Sequence, residues 1–191
     1  MNSTQYGFKT LGLLRRALGC CLVIALTACS HAVLQDDFAV SAEQSIVLMP
    51  VTTYSQAPQA GEKVEVLLES IWYQRKLPAL TVYPRNLAYA DALPPLNDYT
   101  RFQNLQAWLA EQGADYYVTG SVSEWRYKSG LDGEPAVGLS LTINDARTGK
   151  VVWTAATARS GWDRESLTAT AQKLISKQLN TLRLEKLSSA N

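Results

Sequence analysis

The sequence predicts a single α/β (α+β) domain, one mixed β-sheet with helices packed on it, in the order β-α-β-α-β-β-β-α. Three observations carry this expectation. Two short apolar runs are each followed by a segment of helical periodicity, three alternating runs then follow with only turns between them, and the chain closes on a third helical stripe. Parallel neighbours need a long crossover, whereas antiparallel neighbours are joined by short turns, so the early half reads as β-α units and the late half as hairpins.

The first element is "SIVLMPV", Ser45 to Val51, a continuous apolar run ended by the polar "TTYSQAPQAG", as expected for a buried strand and a loop. From Glu62, apolar residues fall at Val64, Leu67, Leu68, Ile71 and Trp72, one face of a helix. "ALTVYP" is a second strand closed by Pro84, and the Pro-rich "YADALPPLNDY" is a loop. "TRFQNLQAWLAEQG" opens with Thr100 and Gln103 at capping-box spacing and stops at Gly113, which predicts a second helix. "DYYVTGSVSEW" alternates with Tyr116, Val118, Gly120 and Val122 together, and "AVGLSLTINDA" with Val137, Leu139, Leu141 and Ile143. "ARTGKVVWTA" turns at Thr148-Gly149 into the last strand. After "RSGWD", with Ser160 and Asp163 at capping-box spacing, Leu167, Ala171, Leu174, Ile175, Leu179 and Leu182 form the stripe of the final helix.

The chain ahead of this domain is organised differently. Residues 1–28 carry Lys9, Arg15 and Arg16, no acid, and the apolar run "ALGCCLVIALTA". Twelve residues fall short of the roughly 20 that span a bilayer, so the layout is that of a signal peptide rather than a membrane helix. Leu26-Thr27-Ala28-Cys29 matches the bacterial lipobox, which makes residues 1–28 a lipoprotein signal and Cys29 the lipidated first residue of the mature chain; a plain signal cleaved nearby and an uncleaved anchor are the other readings. Of the three cysteines, Cys20 and Cys21 leave with the signal, so Cys29 has no partner for an internal disulfide. More than one acyl chain gives a durable anchor. Ser30, in place of an aspartate, points to the outer membrane and its periplasmic face. Residues 29–44 read as a tether, 45–186 as the periplasmic domain and 187–191 as a flexible C-terminus.

Charge and chemistry exclude several functions. The 18 Lys+Arg and 17 Asp+Glu of the whole chain become 15 and 17 once the signal's three basic residues are removed, a formal charge of −2. A clustered basic footprint for nucleic acid is absent. His31 is the one histidine, so no Ser-His-Asp or Cys-His set and no His/Cys zinc cluster is available to the domain. "ARTGKVV" lacks the upstream glycine of a phosphate-binding loop and has Val151 where Ser or Thr would reach magnesium. Asp132 and Glu134 are a conceivable acid/base pair, but in a Gly- and Pro-rich loop beside Arg126 and Lys128 they read as solvated turn residues. No enzyme activity, cofactor or metal is expected.

The most unusual stretch is "SVSEWRYKSGLDGEPAVG", Ser121 to Gly138, which joins two strands through a long polar tip. Trp125, Arg126, Tyr127 and Lys128 mix aromatic rings with cations, as membrane-water interfaces do; ordinary cross-strand packing of Trp125 and Tyr127 is the alternative. With "GADYYVTGSV", "NDARTGKVVW" and "ARSGW", the stretch resembles the PelC family, outer-membrane lipoproteins of the Pel exopolysaccharide export system, over roughly Ile46 to Leu184. The doubled Tyr116-Tyr117 departs from the aliphatic residue expected there.

That resemblance implies a homo-oligomeric ring, a dodecamer, beneath an outer-membrane export porin, with an opening of negative potential that focuses a cationic amino-sugar polysaccharide. Rings close through head-to-tail contacts. Trp125, with Trp162 as the second choice, is then expected to face outer-membrane lipid together with Arg126, Tyr127 and Lys128. Asp115, Asp132, Glu134 and Asp163 are the candidate acids of the opening. The competing reading is a periplasmic lipoprotein that binds and activates a peptidoglycan synthase or another envelope enzyme, which calls for a long tether, whereas 15 residues reach at most roughly 50 Å.

Overall fold

The computed structural model describes residues 31–34, 38–88, 98–129, 133–162 and 164–185; the signal segment, Cys29, Asp132, Asp163 and the C-terminal residues 186–191 lie outside the described residues. The strands are β1 (His31–Leu34), β2 (Ile46–Thr53), β3 (Leu80–Val82), β4 (Tyr116–Tyr127), β5 (Pro135–Asp145) and β6 (Val151–Ser160). They form one mixed sheet in the order β1-β6-β5-β4-β2-β3. β2 runs parallel to β3 and β4, and β4, β5, β6 and β1 pair antiparallel.

Helices α1 (Ala60–Gln74) and α5 (Leu167–Leu179) lie side by side on one face of the sheet, while α3 (Asp98–Asn104) and α4 (Gln106–Glu111) cover the other face of β2; α2 (Arg85–Ala88) is a single turn. This explains the two kinds of strand pattern. β2 is apolar without a break because helices bury both its faces: Ile46, Leu48 and Val51 join the main core, and Val47 and Met49 pack with Tyr83, Leu105 and Leu109 on the other side. β5 and β6 alternate because they are covered on one face, where Val137, Leu139, Leu141, Ile143, Trp153 and Ala155 meet Leu174, Ile175 and Leu179 of α5.

α1 is seated on β2 by two local devices. Gly61, in its first turn, donates its N–H to Thr53 Oγ1 at 2.9 Å, and a Cβ there would lie 2.0 Å from the Val51 carbonyl oxygen. One turn on, Glu65 accepts the Val51 N–H at 2.8 Å, where β2 is irregular between Leu48 and Val51. Ordinarily Gly→Ala favours a helix by about 1 kcal/mol. Here the obstacle is backbone and cannot turn aside, so Gly61→Ala is expected to destabilise by about 1–3 kcal/mol, read as a lower urea midpoint; an unchanged or higher midpoint would show that α1 can lift off β2 without loss.

Four expectations are corrected. The tether 29–44 is in part folded: β1 pairs with β6 in the register His31↔Ala156 to Leu34↔Trp153, Val40 is buried and bridges to Leu184, and Phe38 meets Tyr116 edge-on at 5.1 Å. Its weak periodicity hid this, because a four-residue edge strand is specified by backbone pairing more than by a side-chain pattern. The second helix begins at Asp98, so Thr100 lies inside it rather than at its cap, and the helix is broken at Leu105 into α3 and α4; Gly113 does take the left-handed φ of +58° that a C-terminal stop requires. The final helix is capped by Ser166, whose Oγ accepts the Ala169 N–H at 3.1 Å, while Ser160 is the last residue of β6. The alternation of β4 breaks at a bulge between Val122 and Glu124.

Candidate functional site

Because β2 and β4 run together and β5 and β6 oppose β4 and each other respectively, one end of the sheet gathers the C-terminal ends of β2, β4 and β6 with the N-terminal end of β5. This rim exposes three aromatic rings: Tyr54, just past β2, at 75%; Tyr127, at the end of β4, at 53%; and Trp162, past β6, at 80%. The position of Trp162 follows from Gly161. That buried glycine donates its N–H to the Pro135 carbonyl at 2.7 Å, and a Cβ on it would meet Pro135 Cγ at 2.6 Å and Thr170 Oγ1 at 2.8 Å. The chain passes through a slot too narrow for a side chain, and the next residue is turned outward.

Charged pairs frame these rings. Arg126 pairs with Glu124 at 2.8 Å, Lys128 with Glu134 at 3.3 Å, and Glu165 with Lys173 at 2.8 Å and Arg159 at 3.6 Å. The Lys128 N–H also donates to the Glu134 carbonyl at 2.8 Å and closes the base of the polar tip. Exposed pairs of this sort contribute little to stability, but rings with interleaved cations are the composition that settles at a membrane surface.

The hydrogen bond from Lys173, aided by the nearby charge of Lys173 and Arg159, holds the Glu165 carboxyl below its ordinary value of 4.5. A carboxyl with a depressed folded-state pKa adds stability above its unfolded value, and this is lost as pH falls through the folded value. Glu165→Gln is therefore expected to flatten the decline in melting temperature below about pH 4.5, with wild type and variant converging at lower pH; parallel curves would remove Glu165 from the acid limb.

Trp125 does not face outward, contrary to expectation. It is 6% exposed and part of the main core. Val122 pairs with Leu139 and Glu124 with Gly138, so Ser123 is an extra residue on β4, and from there the faces of the strand are exchanged. Without the bulge Glu124 would point into the core and Trp125 out of it. Gly138 makes room for the bulge, since a Cβ there would lie 2.4 Å from Ser123 Oγ.

The two described candidate acids are not brought together. Glu134 belongs to the rim, whereas Asp115 precedes β4 at the other end of the sheet, about 35–40 Å away along a 12-residue strand. Asp115 Oδ2 accepts the Ser45 N–H at 2.8 Å and lies 3.3 Å from Ser45 Oγ, which straps the start of β2 to β4. Asp145 shares that end, held below the usual carboxylate range by the Thr148 hydroxyl and N–H, and burial together with Asp145 and Asp115 raises the Tyr116 phenol. Sequence reasoning missed Tyr54 and Asp145. A lone aromatic ring in the otherwise polar "TTYSQAPQAG" was the available signal for the first.

Among the described residues no helix is long and apolar enough to cross a membrane, and no group of three or more His, Cys, Asp or Glu side chains is placed to hold a metal. No family model matches the chain, and no curated protein does. Solved structures do. The mixed sheet with helices on it is shared with the lipoprotein GNA1162 from Neisseria meningitidis, at a TM-score of 0.50 and 15% identity over 72% of this chain and 95% of that one, a likeness of fold. It is shared more fully with the PelC dodecamer from Paraburkholderia phytofirmans, at a TM-score of 0.66 and 26% identity over 84% of this chain and all of that one, and with a variant PelC dodecamer from the same organism at 0.66 and 27% over 83%. The fold is thus one that a bacterial lipoprotein also has. More particularly, the chain has a PelC-like fold.

Proposed function

We propose that the mature chain is a lipid-anchored subunit of a closed ring, a dodecamer, at the periplasmic face of the outer membrane, and that the ring guides a cationic exopolysaccharide of the Pel type to its export porin without catalysis. The likeness to the PelC dodecamer over 84% of the chain carries this reading. Tyr127 and Trp162, with Arg126 and Lys128, form the surface that meets lipid. β1 enters the sheet from the rim side, and the two residues from Cys29 to His31 span at most about 7 Å, so the anchor and the aromatic rim act on the same membrane. Because residues 31–34 and Val40 belong to the fold, little chain is left for the long reach that an activator of a distant envelope enzyme needs. The net charge of −2 per mature chain is multiplied around a ring and favours entry of a cationic polymer. Repeated anchors make attachment avid.

The test uses an unlipidated form, with the signal removed and Cys29→Ser, so that acyl chains do not mask weaker contacts. Mass measurement at tens of micromolar is expected to give about twelve subunits, and a monomer would overturn the ring. In flotation with outer-membrane lipid vesicles, Trp162→Ala is expected to lower partition about tenfold or more, from the roughly 1.5 kcal/mol or more of apolar burial lost. Undiminished flotation would take the rim away from the membrane.

A further inference from the structure

Helices α1 and α5 lie on one face of the sheet, and α3 and α4 cover the other face over β2 and the start of β4, where Phe102 meets Tyr117. The rest of that second face, from Thr119 on β4 across β5 to β6, has no helix packed on it among the described residues. It presents Thr119 and Ser121, Ser140 and Thr142, and Thr154 and Ala156, and up to the Glu124–Arg126 pair it carries no charged side chain. A sheet face left to water ordinarily alternates outward with polar and charged side chains. Here the polar groups are turned back on the sheet instead. The Thr119 hydroxyl donates to the Pro50 carbonyl at 2.5 Å, the Thr154 hydroxyl to the Leu141 carbonyl at 3.2 Å, and Asn144 Nδ2 to Thr142 Oγ1 at 3.2 Å. Groups whose bonds are already made lose little when water is removed from them.

The outer side of α1 has the opposite character. Its exposed positions Lys63, Val66, Ser70 and Tyr73 recur at intervals of three and four and form one stripe of the helix. Val66 is 48% and Tyr73 52% exposed, and neither belongs to the aromatic rim. On the neighbouring α5 the exposed positions are Gln172, Lys173 and Lys177, as water requires. One face thus lacks charge and protrusion, and one helix carries apolar groups that nothing covers.

The rim lies at one end of the strands, so in a ring that rests on the membrane by its rim the strands stand along the ring axis and neighbouring copies meet side to side. The sheet edges offer little for this. β1 has four residues, β3 has three, and the Leu80 carbonyl of β3 is already taken by the Tyr73 hydroxyl at 2.8 Å. The open face offers more: four strands about 4.8 Å apart, over about eight residues of about 3.3 Å each, outline roughly 500 Å². Covering it buries about 1,000 Å² over both partners, the area at which specific interfaces begin. We infer that the charge-free sheet face of each subunit seats the Val66–Tyr73 stripe of α1 from the next copy, so that the ring closes by stacking helix on sheet rather than by joining sheet edges. The two surfaces differ, as a head-to-tail contact demands. The inference rests on the ring reading and names the surfaces through which the ring is built.

The test blocks each surface separately in the Cys29→Ser form without its signal. Val66→Glu places a carboxylate on the helix stripe, and Ala156→Arg or Ser140→Arg places a guanidinium on the sheet face, where contact would strand the charge. Val66 and Ala156 are exposed, so the fold is expected to survive, and circular dichroism with an unchanged urea midpoint verifies it. Measured by sedimentation at tens of micromolar and above, each variant alone is expected to fall from about twelve subunits to one. Mixed in equal amounts, Val66→Glu and Ala156→Arg are expected to form a dimer and stop there, because together they retain one unblocked helix stripe and one unblocked sheet face. A folded variant that still assembles fully overturns the inference and leaves the ring standing, with its contacts at the sheet edges. Either variant stopping at a dimer by itself also overturns it, since like surfaces would then meet like, and so does a mixture no more associated than its components. A monomeric parent protein removes the ring reading itself.

Discussion

Trp125→Ala is expected to lower the unfolding free energy by about 3–5 kcal/mol, the range for removing a large aromatic side chain from a core that only partly collapses around the space. Trp125 is 6% exposed, stands opposite Val137 on β5, and joins the cluster that holds Val122 and Val137 under the helices. For a domain of this size the loss corresponds to a melting temperature lower by about 10 °C. The measurement is thermal and urea unfolding by circular dichroism, with Trp162→Ala as the matched control. Trp162 is 80% exposed, so its removal is expected to change stability by about 0.5 kcal/mol or less. The two indoles are thus expected to separate cleanly, one through stability and the other through vesicle binding. A Trp125→Ala protein of normal stability that no longer floats with vesicles would place its ring outside the core and refute the bulge assignment.

The second large effect is expected at Glu65, a charged residue on the buried side of α1 and 1% exposed. Its carboxylate accepts the Val51 N–H at 2.8 Å, the Arg101 guanidinium at 3.0 Å and the Tyr83 hydroxyl at 2.5 Å, and Arg101 Nη2 also donates to the Tyr83 hydroxyl. Arg101 is itself 1% exposed and lies 5.8 Å from the centre of the Tyr83 ring. Burial and the adjoining Glu65 charge push the Tyr83 phenol far above its ordinary range, so it acts as a neutral donor to Glu65. One carboxylate therefore ties α1, β2, the end of β3 and α3 together. Glu65→Ala takes a shared buried acceptor away from the Arg101 guanidinium, the Tyr83 hydroxyl and the Val51 N–H at once and is expected to cost about 3–5 kcal/mol. Replacing both charges with apolar residues, Glu65→Leu with Arg101→Met, is expected to recover part of this but not all, because the Val51 N–H and the Tyr83 hydroxyl still lose their acceptor. Urea unfolding of the single and double variants measures both quantities. A double variant no more stable than Glu65→Ala would mean that the loss comes from packing and the lost acceptor rather than from the Arg101 charge.

Neither effect was legible along the chain. In "VSEWRY" the alternation calls for Trp125 outside, and one extra residue at Ser123 exchanges the faces; such a bulge is created by pairing with Gly138, which lies fifteen positions further on. Glu65 sits beside Val64 in a helix whose stripe was otherwise read correctly, and an acid in such a place is ordinarily solvated; its partners come from positions 51, 83 and 101. The candidate acids show the same limit. Asp115 and Glu134 are nineteen residues apart in sequence, yet one long strand sets them at opposite ends of the sheet.

What the sequence determined by itself was much of what is governed at short range: the apolar run of β2, the stripes of α1 and α5, the alternation of β5, the hairpin turn closed at Gly149 with its φ of +70°, and from these a mixed sheet and the order of its elements along the chain from β2 onward. Periodicity and turn chemistry are properties of neighbours a few residues apart, so they can be read in one dimension. What the tertiary structure decided was which side chains a fold shares: the strand β1 added to an edge, the inward Trp125, the outward Trp162 beside a glycine slot, the Glu65 network, and the gathering of Tyr54, Tyr127 and Trp162 on one rim. Each depends on register and on close approach between distant segments, and a shift of a single residue reverses the outcome.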